Sequence, residues 1–407
     1  MKDILIKKGW KKAKLGSICN LKYGKGLPKR NRKKGKYPVY GSGGIVDFHK
    51  DYLIEGPGII VGRKGSIGNV FFEKSNFFPI DTVFYIEENK EKYDIGFLFY
   101  LLKTLNLDKL NSDAAVPGLN RNIAHSQKVE IPPIDIQKKI KTILSVYDNL
   151  IENNNYRIKI LDEISSTIYN EWFNKLRFPG YKKVKMDDSE FGEIPEKWEV
   201  KKLSNICSKV VDGTHDTPKP VNKGYHLVTG KHIVNGFIDF SQCYFISPEE
   251  HLKVMKRSKP EKGDTIFSNI GTLGNTTIVD HDFEFSIKNV ALFKPLKPIY
   301  SYFIYLYFSS PEILGIMERK ASGTSQKFFS LKFLRSLDII MPPDDLILEF
   351  NSVIKPILEQ RSLLNEKNLI LRETHDILLP KLISGEINVE NELNIDNIDL
   401  DSEGIET

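Results

Sequence analysis

Cysteine is almost absent from this chain: its 407 residues include three, Cys19, Cys207 and Cys243. An odd number with no CxxC spacing supports neither a disulfide framework nor a zinc site. Long hydrophobic runs are missing as well. No stretch of about 18 apolar residues occurs and no long N-terminal apolar stretch follows Met1-Lys2-Asp3, so a cytoplasmic protein without a membrane span is expected. The chain also lacks common catalytic signatures. It has no G-x4-G-K-[ST] phosphate loop, no [NDS]-P-P-[YFW] run of the kind amino-methyltransferases use, no G-x-S-x-G elbow and no H-E-x-x-H pair. The eight histidines are scattered. Their nearest approach to a cluster, His215 and Asp216 with His226 and His232, fits hydrogen-bonded loop histidines better than a metal site. Catalysis by this chain alone is not expected, nor is a cofactor or metal of its own.

What is present describes a globular protein, 40 % apolar and 28 % charged, with room for two or three domains. The charge is unevenly spread. The stretch from Glu386 to Thr407 has eight acidic residues and no Lys or Arg, so the formal net charge of +6 becomes +14 for residues 1–385. A body this basic is drawn to polyanions, while the acidic stretch reads as a disordered, solvating tail.

The most constraining feature is a duplication. Trp10, Leu15, Ile18 and Cys19 return as Trp198, Leu203, Ile206 and Cys207, shifted by 188. Gly65-Ser-Ile-Gly-Asn69 returns as Gly271-Thr-Leu-Gly-Asn275, shifted by 206, and Ile131-Pro-Pro133 as Met341-Pro-Pro343, shifted by 210. A period this long means two copies of a whole domain rather than a solenoid. The growing shift indicates longer loops on a kept framework. Cys19 and Cys207 occupy matched apolar positions and read as buried core thiols. Short β-rich runs at residues 59–61, 70–72, 82–86, 265–267 and 291–293, followed by helical periodicity at 96–105 and 300–308, make each copy a mixed α/β domain.

After each Pro-Pro pair comes a long helical pattern. Ile151, Ile158, Leu161, Ile164, Ile168 and Trp172 recur in the first at three-, four- or seven-residue spacings, and Leu364, Leu371, Leu378 and Leu382 in the second. Two such narrow seams are best buried against each other as a coiled coil of about 42 Å. Asn154 and Asn368 interrupt the apolar beat and are positioned to fix register, and Pro356 and Pro380 should bracket or kink the second helix.

Candidate DNA contacts lie in the polar loops. Between Lys22 and Lys36 a run without acids includes Lys29, Arg30, Arg32, Lys33 and Lys36, interleaved with Gly and Tyr, which suits a phosphate backbone. Arg63, Lys64 and Ser66 form a second loop, whose counterpart has Asn269 and Thr272. Arg suits guanine and Asn suits adenine, as expected of related domains that read different bases. Asn120 and Arg121, and in the second copy Ser325, Gln326 and Lys327, are polar loops preceding the helices. His215, Lys219 and Lys231 complete the set. The plain alternative for these loops is exposed turn chemistry.

Several motifs in order resemble one family. Ser189-Glu-Phe-Gly-Glu-Ile-Pro-Glu-Lys-Trp-Glu-Val-Lys-Lys-Leu203 resembles the linker opening the second target-recognition domain in specificity subunits of type I restriction-modification systems. Lys36-Tyr-Pro-Val-Tyr-Gly-Ser-Gly-Gly44, Asp212-Gly-Thr-His-Asp-Thr-Pro218 and Leu378-Leu-Pro-Lys-Leu-Ile-Ser-Gly-Glu-Ile387 resemble that family too. The resemblance implies an α+β architecture: two similar mixed α/β target-recognition domains separated by two long antiparallel coiled-coil helices. Its expected divisions are residues 1–133 and 179–343 for the two domains (the latter with its linker), 134–178 and 344–385 for the helical regions, and 386–407 for the tail. It implies that each domain reads half of a bipartite site on double-stranded DNA, with the helices as ruler and as dock for two modification methyltransferase subunits. Restriction and translocase subunits would join these, and S-adenosylmethionine, ATP and Mg would belong to the partners. Two rival readings stay open: a self-contained restriction or modification enzyme, and a solitary or phase-variable recognition module of another assembly.

Overall fold

The computed structural model describes residues 9–110, 118–319 and 328–389. It divides into two compact units, residues 1–153 with 367–407, and residues 154–366.

In the first unit Lys11–Lys14 pairs antiparallel with Lys128–Ile131, tying the two ends of the recognition domain together. Between them lies an antiparallel sheet ordered Lys22–Tyr23, Val83–Glu87, Gly58–Gly62, Val70–Glu73. Its central strand, Gly-Ile-Ile-Val-Gly, is buried throughout because both of its faces are covered. Ile59 and Val61 enter the larger core with Phe84, Phe97 and Leu98, whereas Ile60 faces Tyr40, Phe77 and Val83 on the other side. That second side belongs to a smaller sheet in which Tyr37–Gly41 pairs antiparallel with Gly44–His49 and parallel with Phe78–Pro79. The helix Ile95–Thr104 covers the larger core and is capped by Asp94, whose carboxylate accepts from the Phe97 N–H at 2.9 Å.

The second unit repeats this plan. Glu199–Lys202 pairs with Asp338–Met341, and Cys207–Asp212, Ala291–Pro295, Thr265–Phe267 and Thr276–Ile278 form the matching four-stranded sheet. Tyr225–Val228 pairs antiparallel with Phe245–Ile246 and parallel with Ser286–Ile287, while Ser301–Ser309 is the covering helix. The change of shift from 188 to 206 has a physical origin. The second copy has a longer connection between Tyr225–Val228 and Phe245–Ile246, where the first copy has a tight hairpin, and then inserts a helix, Pro248–Arg257, opened by Ser247 as N-cap. Cys19 and Cys207 are buried, which pushes both thiols up to about 12 and leaves them inert.

Two long helices follow the domains, Ile134–Tyr169 of 36 residues and Asp344–Ile383 of 40. They measure about 54 and 60 Å, longer than the seam pattern alone implies. Within each unit segments of both helices pack together. In the first, Ile136, Ile140 and Leu144 share a core with Leu379, Leu382 and Ile383, and the His375 ring sits between Tyr100 and Tyr147. In the second, Asp162 pairs with Arg361, and Tyr169 and Trp172 pack on Phe350. Rising numbers on one helix meet falling numbers on the other, so the paired segments run antiparallel.

The buried line differs from the predicted one. Ile158, Leu364 and Leu382 are buried, but Ile151, Leu161, Ile168, Trp172, Leu371 and Leu378 are half-buried and Ile164 is exposed. Polar side chains fill much of the seam: Asn154, Ser165, Arg361, Asn368 and His375 are all buried. Pro356 and Pro380 neither bracket nor end the second helix, which runs through both. The residues four positions earlier, Ser352 and Asp376, are exposed, so the carbonyls that lose a donor face water. The segment after the first helix is packed rather than a loose tether. Phe178 and Ile194 are buried with Trp198, and Met186–Ser189 and Gly192–Pro195 form a hairpin.

Phe173 anchors the second unit, with ring centroids 4.7 Å from Phe350, 4.8 Å from Phe303 and 5.2 Å from Tyr169. Phe173→Ala is expected to cost about 3–5 kcal/mol. Denaturant unfolding would measure it, and a loss below about 1 kcal/mol would contradict this packing.

Candidate nucleic-acid interface

Four loops of the first domain meet around Arg63. The backbone N–H groups of Arg63 and Lys64 both donate to the Thr82 carbonyl, at 3.0 and 3.1 Å, and the Leu119 N–H donates to the Arg63 carbonyl at 2.9 Å. The Asn69 amide reaches the Ser42 carbonyl at 3.5 Å, bringing in the tip of the Tyr37–His49 hairpin. The repeated Gly-x-x-Gly-Asn motif makes this possible. Gly65 and Gly68 take φ of +79° and +76°, and Gly271 and Gly274 take +78° and +90°, a conformation side chains rarely adopt. Asn275 repeats the part of Asn69, donating to the carbonyls of Gly230 and Ile233 at 3.4 and 2.9 Å. The shared residues are therefore scaffold.

Onto this scaffold the first domain places two guanidinium groups. The Arg63 guanidinium lies 5.2 Å from the Tyr23 ring centroid and that of Arg121 5.0 Å from the same ring, which is half exposed. Arg63 also donates to the Asp81 carbonyl at 2.5 Å. Arg121 opens the helix Arg121–His125, whose N-cap is Asn120; the Asn120 side chain accepts from the Asn122 and Ile123 N–H groups, so it braces the loop. At the other end His125 accepts from the Leu21 N–H at 3.1 Å. Burial, and secondarily the Arg121 charge, hold this imidazole below its ordinary pKa, in the neutral form that can accept. Gly16 leaves it room, because a Cβ there would stand 2.7 Å from that of His125.

The basic run is less uniform in space than in sequence. Lys29, Arg30, Lys33 and Lys36 are exposed, as are Lys64 and Ser66. Lys22 instead pairs with Glu87. Arg32 is tied down by the Leu27 carbonyl at 3.2 Å and Asp47 at 3.3 Å, so it holds its loop together rather than reaching outward. The Phe48 N–H, and then Arg32, keep the Asp47 carboxyl below its usual range.

In the second domain Lys219, Lys231 and Thr272 are exposed, although Thr272 shares a hydrogen bond with the Ser268 hydroxyl at 3.1 Å. His215 is fixed between Asp212 at 2.6 Å and Asn289 at 3.0 Å. His226 packs against Phe245, and His232 receives the Thr229 N–H at 3.0 Å, so the three histidines are engaged separately. Asn269 departs most from expectation. It is buried, and its amide donates to the Phe329 carbonyl at 3.0 Å, so it holds two loops together instead of facing a base. Ser325, Gln326 and Lys327 lie outside the described residues, as does the tail beyond residue 389. The sequence marked Tyr23 only as one of the tyrosines interleaved in the basic run; its place under both guanidinium groups was not legible there, because Arg63 and Arg121 lie far along the chain.

Among the described residues no helix is long and apolar enough to cross a membrane. The family model for the type I restriction modification DNA specificity domain matches residues 7–163 and again 195–366. A type I restriction enzyme specificity subunit of Methanocaldococcus jannaschii is 29 % identical over 308 residues, 72 % of this chain and 69 % of that protein. One from Escherichia coli is 24 % identical over 373 residues, 83 % of this chain and 77 % of that protein. The crystal structure of a type I restriction-modification S subunit from M. genitalium shares the fold with a TM-score of 0.59 at 18 % identity, over 92 % of this chain and 96 % of that one. The duplicated sheets, the paired helices and a family match in each copy lead to one conclusion: this chain belongs to the type I restriction-modification DNA specificity family.

Proposed function

We propose that this chain is the DNA-recognition subunit of a type I restriction-modification complex, each recognition domain reading one half of a bipartite duplex target. The observation that carries this is the division within the repeat. Glycine turns, Asn69 and Asn275, and strand registers are kept in both copies, while the side chains mounted on them differ. Scaffolds that match and surfaces that do not are what two readers of different sequences need. The exposed bases of the first domain, Lys29, Arg30, Lys33 and Lys36, supply phosphate contacts that position it without reading sequence.

The long helices hold the spacing between half-sites and dock two modification methyltransferase subunits. Their surfaces support this, because Leu150, Tyr156, Ile164, Leu363, Ile370 and Ile377 are exposed apolar residues. Methyl transfer, with S-adenosylmethionine, and restriction and translocation, with ATP and Mg, belong to the partner subunits in the cytoplasm. The recognition chain itself is not catalytic.

Arg30→Ala or Lys33→Ala should weaken duplex binding on all sequences alike and lower the salt slope by about one for each cation removed from a phosphate. Binding titrations across a salt series check this, and a change confined to one base position would contradict it. Incubated alone with S-adenosylmethionine and duplex DNA, the purified chain should transfer no methyl groups, and should support transfer once methyltransferase subunits are added. Transfer by the chain alone would favour a self-contained enzyme.

A further inference from the structure

From the pairing of Arg63 and Arg121 across one Tyr23 ring, we propose that the first recognition domain reads a guanine at one fixed position of its half-site. The second domain cannot read that base in the same way. The inference rests on the DNA-recognition reading above and names the base class.

The two guanidinium groups stand 5.2 and 5.0 Å from a single ring centroid, and no carboxylate pairs with either among the described residues. Arg63 is already oriented: one terminal nitrogen is tethered to the Asp81 carbonyl, its plane lies near the Tyr23 and Phe84 rings, and its Nε is buried with no hydrogen-bond partner. A fork held this way suits two acceptors at fixed separation, such as the O6 and N7 atoms of a guanine edge.

The duplication supports a base as the ligand, because a base contact is free to differ between two domains that share a scaffold. The matched positions follow from the strand registers. The Gly24 N–H donates to the Val83 carbonyl as the Gly213 N–H donates to the Val290 carbonyl, so Tyr23, paired with Phe84, matches Asp212, paired with Ala291. The carbonyls of Arg63 and Asn269 accept from Leu119 and Phe329, each at 2.9 Å. Arg121 follows the N-cap Asn120 as Leu331 follows the N-cap Ser330. The Arg, Tyr and Arg of the first copy thus become Asn269, Asp212 and Leu331, with no cation and no exposed ring at these positions. A constellation that changes between two otherwise matched loops suits bases that change between two half-sites.

The test is selection of the full chain on a duplex library with randomised positions. Wild type should enrich a two-part motif with guanine invariant at one position of one part. Arg63→Ala and Arg121→Ala should relax that position by roughly tenfold or more and leave the other part unchanged. Arg63→Lys and Arg121→Lys, which keep the charge and lose the fork, should relax it as well, with thermal melting confirming that each variant is folded. Replacing that guanine with 7-deazaguanine, which lacks the N7 acceptor, should weaken wild type and leave Arg63→Ala unaffected. Equal loss on all sequences with rescue by Lys would mean a phosphate contact and would overturn the inference, as would an unchanged motif in the variants. If wild type enriches no motif at all, the DNA-recognition reading itself fails.

Discussion

Everything in this chain depends on covering the apolar stripes of two long helices. A helix of 36 or 40 residues with one greasy seam is not stable alone in water. In one unit the stripe is covered by Leu379, Leu382 and Ile383 joining Leu144 and the first domain's core. In the other it is covered by the aromatic cluster of Tyr169, Phe173, Phe303 and Phe350. In both cases a recognition domain and helical segments share a single hydrophobic core, so the domain is not a bead on a flexible string. The position of its reading loops is set by the same packing that keeps the helices folded.

The buried polar groups add specificity to that packing. Arg361 is almost fully enclosed, paired with Asp162, donating to the Asn235 carbonyl at 3.0 Å and lying 3.8 Å from the Phe237 ring centroid. A helix residue therefore grips a turn of the second recognition domain directly, and Gly236 leaves it room, since a Cβ there would meet the guanidinium at 2.2 Å. Such interactions add little net stability compared with apolar packing, but they penalise any slipped arrangement that would strand a charge.

How much of this was legible in the sequence follows from the range of each interaction. The strands at Ile59–Val61 and Thr265–Phe267, the covering helices and the long helical pattern are local and could be read, and the repeat carried the domain plan. The seam's true line could not, because a search for apolar beats passes over Arg361 and His375, whose burial depends on partners more than a hundred residues away. Asn269 looked like a base reader because polar loop residues are usually exposed; its amide is consumed by Phe329, 60 positions later. Arg32 looked free because its acid, Asp47, lies across a hairpin. Arg63 and Arg121 were recognisable as candidates one by one, but their convergence on Tyr23 exists only once the sheet has folded.

The central claim is that the duplicated domains are independent readers on a common frame. It is tested most directly by exchanging residues 1–133 for the corresponding domain of a relative with a different target. The methylated motif is then sequenced in a host that also supplies the methyltransferase subunits. One half of the motif should change to the relative's, with the other half and the spacer between them unchanged. A motif altered in both halves, or altered in its spacer alone, would contradict it.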